Sequence, residues 1–346
     1  MEFSIQLSAD YPDKDYGGDR VYKDMLDQAV LADRLGFDAV SVTEHHLVNC
    51  LMMPAPLTFA VKIAAMTSRI KIMTSIVVLP LHDMRSYAGE VVVADILTEG
   101  RLLLGIGRGA FKYEMERFGV PMEETQDRFN ESLDVLQALL TREEVSWDGT
   151  YYKFEPLTVM PRPTRPGGPP MMMAVMNPDG IYHCTRKGFH IQTTPLSGNH
   201  QLLLDQVSAF NRAKQDMNAA PGDVTLTLSR VAHIARDQAD KERKIAAAHK
   251  YYGRFDNIFL GPGTVSGGMI EEIECRTPVD ELGDSLLICT ADEMRDKLAP
   301  YAELGIDRVI LNVNFGLDPA DTLETIASFA EEVMPHFTTR QPQAAE

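Results

Sequence analysis

The chain has 346 residues, 45% of them hydrophobic and 24% charged, which is ample material for a packed core and excludes general disorder. Its 33 Lys and Arg against 50 Asp and Glu leave a net charge of −17, which argues against nucleic acid, because phosphate backbones are bound by cations. Cys50, Cys184, Cys275 and Cys289 lack metal-binding spacing, and neither a signal-like N-terminus nor a membrane-length uncharged run occurs, so free thiols in the cytoplasm are expected.

Phe3 to Ser8 alternates apolar and polar residues and predicts a strand, YPDKDYGGD a loop, and Val21 to Leu35 a helix with Met25, Ala29, Ala32 and Leu35 at helical spacing. Gly36 supplies a C-cap. Ala39, Val40, Val42 and Thr43 then predict a short strand buried on both faces, which stops abruptly at Glu44, His45 and His46. Pro56 opens a helix to Met66. Ile70 to Leu79 predicts a third strand, Met84 to Leu97 a helix, and Arg101 to Ile106 a fourth strand. The loop GRGAFKYEMERFGVPMEE leads to an amphipathic helix from Thr125 to Leu140, with Phe129, Leu133, Leu136 and Leu140 on one face.

Residues 141–170 then carry prolines 156, 161, 163, 166, 169 and 170, too many for a helix interior, and predict an excursion or small hairpin on the rim. Strands follow at Met171 to Val175 and Gly188 to Thr193, with helices at Asp179 to Lys187 and His200 to Met217. Val224 to Ile234 predicts a seventh strand and Asp237 to Tyr251 a charged helix. Residues 253–284 hold glycines 253, 261, 263, 267, 268 and 283 and no strong period, the pattern of a mobile lid. Asp292 to Leu304 predicts a helix, Asp307 to Val313 the eighth strand and Leu323 to Met334 the closing helix. Eight strands alternating with helices and no dividing linker predict one α/β domain over residues 1–346, a (β/α)8 TIM barrel with rim insertions and a lid; a doubly wound open sheet is the alternative.

In such a barrel the carboxyl ends of the strands carry ligands, which puts Glu44, His45 and His46 at the active face. Alternation along a strand sets Glu44 and His46 on one side and His45 on the other. The competing readings are a polar strand cap and a zinc site that also recruits His82, although adjacent histidines lack the spacing that puts two ligands on one face. Gly105-Ile106-Gly107-Arg108-Gly109 ends the fourth strand; its arginine is placed to fork onto a phosphate or carboxylate, or simply to decorate a tight turn. Met176-Asn177-Pro178-Asp179-Gly180 opens a helix, which is an anion site or an ordinary N-cap. Together the two suit a phosphorylated cofactor. Met52, Met53, Phe111, Tyr113 and Trp147 are candidates for an apolar pocket and equally for core. Arg230 is placed to meet an anionic substrate group or, the favoured reading, to pair with a carboxylate inside the barrel.

TEHH, TSIVVLPLHDMR, EGRLLLGIGRGAFKYEMERFGVPMEE, GGPPMMMAV and EEVMPHF together resemble the bacterial luciferase-like flavin-dependent monooxygenases along nearly the whole chain. The resemblance implies a TIM barrel binding reduced FMN (FMNH2), with O2 forming a flavin C4a-hydroperoxide that oxygenates a small organic substrate. It implies a catalytic role for His45, with Glu44 orienting or charge-stabilising the imidazole, and no metal. It maps a non-prolyl cis peptide beneath the flavin to Ser75 and Ile76. Phosphate binding maps to Arg108 and to the backbone at Met176 and Asn177, with Gly180 nearby. Met176-Asn177 replaces the family's Glu-Ser and Cys289-Thr290 its Gly-Thr; the first exchange alters a side chain and keeps the N–H donors.

The absence of a second domain for a nicotinamide points to a two-component enzyme supplied by a separate flavin reductase. Alternatives are a deazaflavin (F420)-dependent oxidoreductase and a flavin-binding protein without turnover. A homodimer is expected through Ala60, Val61, Ala64 and Ala65 of one helix and Ala88, Val91, Val92 and Ala94 of the next.

Overall fold

A computed structural model describes residues 1–11, 13–195 and 200–337; Pro12 of the first predicted loop and residues 338–346 of the predicted domain lie outside it. Its elements alternate in the predicted way. They are β1 (Glu2–Gln6), α1 (Gly18–Leu35), β2 (Ala39–Val42), α2 (Pro56–Ala64), β3 (Lys71–Thr74), α3 (Met84–Leu97), β4 (Leu102–Gly107) and α4 (Thr125–Thr141). There follow β5 (Met171–Ala174), α5 (Pro178–Arg186), β6 (His190–Thr193), α6 (His200–Met217), β7 (Leu226–Ile234), α7 (Gln238–Leu260), α8 (Ala291–Glu303), β8 (Arg308–Asn312) and α9 (Pro319–Ser328). Each of these strands pairs in parallel with the next, and β8 pairs with β1 from Glu2↔Arg308 to Gln6↔Asn312, which closes the barrel.

Local chemistry sets the boundaries. Gly36 takes φ 92°, and its N–H caps α1 on the carbonyls of Ala32 and Asp33, turning the chain into β2. Pro56 stands in the first turn of α2, and Thr290 with Glu293 forms a capping box on α8. At the amino-terminal end of the barrel, Arg308 Nη2 donates to Asp38 and Glu2 at 2.6 Å each, so three strand starts are tied by one guanidinium. Above it, Ala39, Met73, Met172 and Ile310 fill the interior.

The third predicted strand is broken. It runs from Lys71 to Thr74, passes a cis peptide between Ser75 and Ile76, and resumes as Val77–Val78 against Ile106 and Gly107. Two glycines of β4 accommodate this bulge. A Cβ on Gly105 would lie 1.9 Å from the Thr74 carbonyl oxygen, and one on Gly107 would lie 2.7 Å from Ile76 Cδ1. The first two glycines of the GIGRG run therefore serve the approach of β3 to β4.

The rim excursion contains the expected hairpin, Val145–Asp148 against Lys153–Leu157. Glu131 of α4 holds it by accepting from the N–H groups of Thr150, Tyr151 and Tyr152 and from the Trp147 indole.

The segment 253–284 differs from expectation, because α7 continues to Leu260 instead of ending near Tyr251. Gly253 is a packing glycine inside that helix: its missing Cβ would sit 2.3 Å from the Ile273 carbonyl oxygen, where the chain returns. Beyond the helix, Asn257 accepts from Thr264 N–H and donates to the carbonyls of Thr264 and Glu271, clasping a hairpin of Val265–Ser266 and Met269–Ile270. A short helix, Val279–Ser285, and a strand, Leu287–Cys289, paired with the end of β7, complete the excursion. The hairpin is anchored to the β2 loop, where Asn49 Oδ1 accepts from Ile270 N–H at 2.9 Å. Among the described residues no helix is long and apolar enough to cross a membrane.

Candidate active site

The chain leaves β2 at Val42, and the next four side chains separate as the strand alternation predicts. Glu44 turns into the protein and is 1% exposed. Its Oε1 meets Nε2 of both His46 and His82 at 2.8 Å, and its Oε2 accepts from the Val78 N–H at 2.6 Å. Glu44 therefore fastens the end of β2 to the far side of the β3 bulge. It does not orient His45, which corrects the expectation from the sequence.

The carboxylate that holds His45 is Glu114. Both its oxygens lie 3.1 Å from His45 Nδ1, and Oε1 also accepts from the His46 N–H at 2.7 Å. Phe111 stacks on the imidazole with ring centroids 4.1 Å apart, and the His45 N–H donates to the Met53 carbonyl. Since a carboxylate only accepts, Nδ1 carries the proton, leaving Nε2 without a protein hydrogen bond among the described residues. Glu114 went unrecognised because it belongs to a six-residue helix, Lys112–Arg117, inside a stretch that looked like loop. The sequence signal was present: Phe111, Met115 and Glu114 are all buried at helical spacing.

Burial pushes the Glu44 carboxyl up, but hydrogen bonds from His46, His82 and the Val78 N–H, with the charge of His82, outweigh it and bring the group to about 2. The same hydrogen bond to Glu44 raises His46. A depressed carboxyl stabilises the fold above its ordinary value of 4.5 and loses that contribution as pH falls toward 2, a span worth about 3 kcal/mol. A raised imidazole contributes fully below its ordinary 6.5 and loses that contribution as pH rises through its raised value. The cluster is thus most stabilising between those ordinary values. In urea titrations the wild type is expected to lose about 3 kcal/mol more than Glu44→Gln between pH 4.5 and 2; parallel curves would assign acid sensitivity elsewhere.

The cis Ser75–Ile76 peptide expected from the resemblance is present at the mouth of the barrel. A row of polar side chains crosses there. Gln6 Nε2 donates to Thr43 Oγ1 at 3.2 Å, Thr43 Oγ1 to the Ser75 carbonyl at 2.8 Å, and Gln192 Nε2 to Ser75 Oγ at 2.7 Å. These residues come from the carboxyl ends of β1, β2, β3 and β6, and only Ser75 was singled out in the sequence.

Arg108, just past β4, is exposed, and its guanidinium reaches only Thr125 Oγ1 at 3.5 Å, with no ion pair among the described residues. Just past the neighbouring β5, Met176 is 39% exposed, and its carbonyl accepts from Gln206. Asn177 Oδ1 caps α5 by accepting from Asp179 N–H at 2.8 Å and Gly180 N–H at 3.5 Å. Gly180 serves packing, since a Cβ there would stand 2.8 Å from Val175 Cγ1.

Of the apolar candidates, Phe111 and Tyr113 join a cluster beside His45 with Val231, Phe255 and Phe259. Met52, Met53 and Trp147 belong to the main core instead. Arg230 is buried without a carboxylate and donates to the Ser285 carbonyl, which overturns the favoured reading of an ion pair.

A family model described as luciferase-like monooxygenase matches residues 1–308. The chain is 25% identical, over 98% of its length and 96% of the relative's, to the oxygenase component of the flavin-dependent trigonelline monooxygenase of Acinetobacter baylyi. It is 26% identical, over 93% of its length and 96% of the relative's, to an F420-dependent glucose-6-phosphate dehydrogenase of Beutenbergia cavernae. Among solved structures, a monooxygenase from Streptomyces bottropensis superposes with a TM-score of 0.83 at 24% identity, covering 98% of this chain and 100% of that one, a likeness of fold. With a closed barrel, a polar mouth at its carboxyl end and a family match over most of its length, the chain belongs to the luciferase-like monooxygenases.

Proposed function

We propose that the protein is the oxygenase of a two-component system, using reduced FMN delivered by a separate reductase, and O2, to oxygenate a small organic substrate. The observation that carries this reading is His45, held at Nδ1 by Glu114 with Nε2 unpaired at the mouth of the barrel. Arg108, which has no ion pair among the described residues, and the start of α5, each just beyond one of two adjacent strands, suit the phosphate of such a cofactor, because a guanidinium without a carboxylate and a helix N-terminus both favour an anion. Asn177 already occupies two of the helix N–H groups, so Arg108 is assigned the larger share. Bound reduced flavin supplies the electrons that activate O2. In this reading the Ser75–Ile76 bulge supports the ring, His45 Nε2 moves the proton, Glu114 orients it, and Phe111 shields it from water.

The test is anaerobic titration with FMNH2 and with reduced deazaflavin, followed by oxygen uptake over aldehydes, ketones, sulfonates and terpenoids. Tight FMNH2 binding with substrate-dependent uptake is expected. Preference for the deazaflavin, or flavin binding without turnover on any substrate, would reject it.

A homodimer is part of the same proposal; of the side chains expected to carry it, Val61 is half-buried and Ala65 exposed. Ala60, Ala64, Ala88, Val91, Val92 and Ala94 pack within the subunit. Met66, Val93, Ile96 and Leu97 are the exposed apolar residues at α2 and α3, and the last three share one helix face. Light scattering at micromolar concentration is expected to give twice the chain mass, and Ile96→Glu with Leu97→Glu to halve it. A monomeric wild type would refute this.

A further inference from the structure

Glu44, 1% exposed, lies too deep for a substrate to touch its carboxylate. What it touches is the frame of the candidate site. Its N–H donates to the Ile76 carbonyl at 3.0 Å and its Oε2 accepts from the Val78 N–H at 2.6 Å, so one residue grips the β3 bulge on both sides of Val77. Val42 and Thr43 bond the near side of the bulge, at Ser75. The Oε1 of Glu44 accepts from Nε2 of His46 and of His82 at 2.8 Å each, and because a carboxylate only accepts, both imidazoles place a proton there.

His46 carries that grip to His45. While its ring is held by Glu44, its N–H donates to Glu114 Oε1 at 2.7 Å, and Glu114 faces His45 Nδ1 with both oxygens at 3.1 Å. Among the described residues the Glu114 carboxylate bonds nothing else, so its place depends on where His46 sits. His82 braces Glu44 from the other side. Its ring stacks on Tyr87 of α3 with centroids 4.2 Å apart, and its carbonyl accepts from the Tyr152 hydroxyl at the rim hairpin at 3.0 Å. No hydrogen bond among the described residues joins His45 itself to the bulge.

We propose that Glu44 is a positioning residue for the reaction: one buried carboxylate that sets the His45–Glu114 pair and the β3 bulge at a fixed separation, with His46 as the link and His82 as the brace. The inference deepens the proposed function, in which the bulge supports the flavin ring and His45 moves the proton, and it rests on that reading. The spacing matters because misplacing a reacting group by about 1 Å costs on the order of 10²-fold in rate.

The first measurement uses the whole protein without flavin: amide hydrogen exchange at Val78 and His46, whose N–H groups meet Glu44 and Glu114. Glu44→Gln is expected to speed exchange at both by at least about 10-fold, the loss of a hydrogen bond to a charged group. Acceleration at Val78 alone would make Glu44 a local brace and overturn the proposal. The second is oxygenation in a double-mutant cycle with His45→Ala. Glu44→Gln alone is expected to lower kcat by up to about 10²-fold with substrate KM unchanged and to raise hydrogen peroxide, and in His45→Ala to cost nothing further. Equal losses in both backgrounds, or normal oxygenation in Glu44→Gln, would overturn it. His82→Leu is expected to repeat the effect at smaller size, and His82→Gln, whose Nε2 replaces the imidazole donor, to restore it. That pair carries the test if Glu44→Gln does not fold, and equal behaviour of the two variants would then reject the proposal. Full oxygenation in His45→Ala, or none by the wild type, counts against the oxygenase reading alone, and the exchange rates still decide whether Glu44 joins the two groups.

Discussion

Replacing His45 with alanine is expected to lower substrate oxygenation by about 10²- to 10⁴-fold, the usual contribution of a general acid or base. The geometry gives the reason. Glu114 holds Nδ1 with both oxygens at 3.1 Å and Phe111 fixes the ring plane, so Nε2 is presented in one orientation. Histidine exchanges protons near neutral pH, which suits a reaction that must protonate and deprotonate around a bound flavin. FMNH2 is expected to bind the variant normally, because the assigned phosphate contact is Arg108, on another strand, and hydrogen peroxide is expected to rise as product falls. Stopped-flow and peroxide assays on one preparation measure all three quantities. Glu114→Gln keeps an acceptor for Nδ1 and removes the charge, so its loss is expected to be smaller. Full oxygenation with normal coupling in His45→Ala would make the histidine a structural strand cap.

Arg108→Ala is expected to weaken FMNH2 binding by about 10- to 150-fold, corresponding to the roughly 1.5–3 kcal/mol of a hydrogen bond to a charged group. The side chain is free to serve a ligand because the fold hardly uses it: it is exposed, with one long contact to Thr125 at 3.5 Å. Tm without ligand is therefore expected to stay unchanged, which separates lost binding from lost folding. Arg108→Lys keeps the charge but not the fork, and should fall between. Unchanged affinity in Arg108→Ala would move the phosphate to the loops after β7 and β8, the other anion-binding loops of this fold.

The two residues differ in how far the sequence alone could describe them. Arg108 follows a strand in a glycine-rich run, a local pattern, and its position was legible. His45 was legible as a residue at a strand end, but its partner was not. Glu114 is 69 positions away in a short helix, and Glu44, the nearer carboxylate, is turned aside by strand alternation toward His46 and His82. Arg230 shows the same limit, since nothing local distinguishes an arginine that finds a carboxylate from one that does not. Gly253 misled in the opposite direction: a glycine usually marks a loop, and here it admits the returning backbone at Ile273 into a helix.

The sequence by itself determined the barrel, because burial on both faces of parallel strands and on one stripe of each helix leaves a period within every segment. It showed where polar residues interrupt a buried run, as at Glu44 after β2, because such breaks are visible locally. Only the tertiary structure decided which carboxylate meets which histidine, which glycines serve packing, and which buried cation meets no carboxylate. Those depend on side chains from strands and helices far apart in the chain, and hydrogen bonds and ion pairs of 3 Å reach leave no periodic trace in sequence.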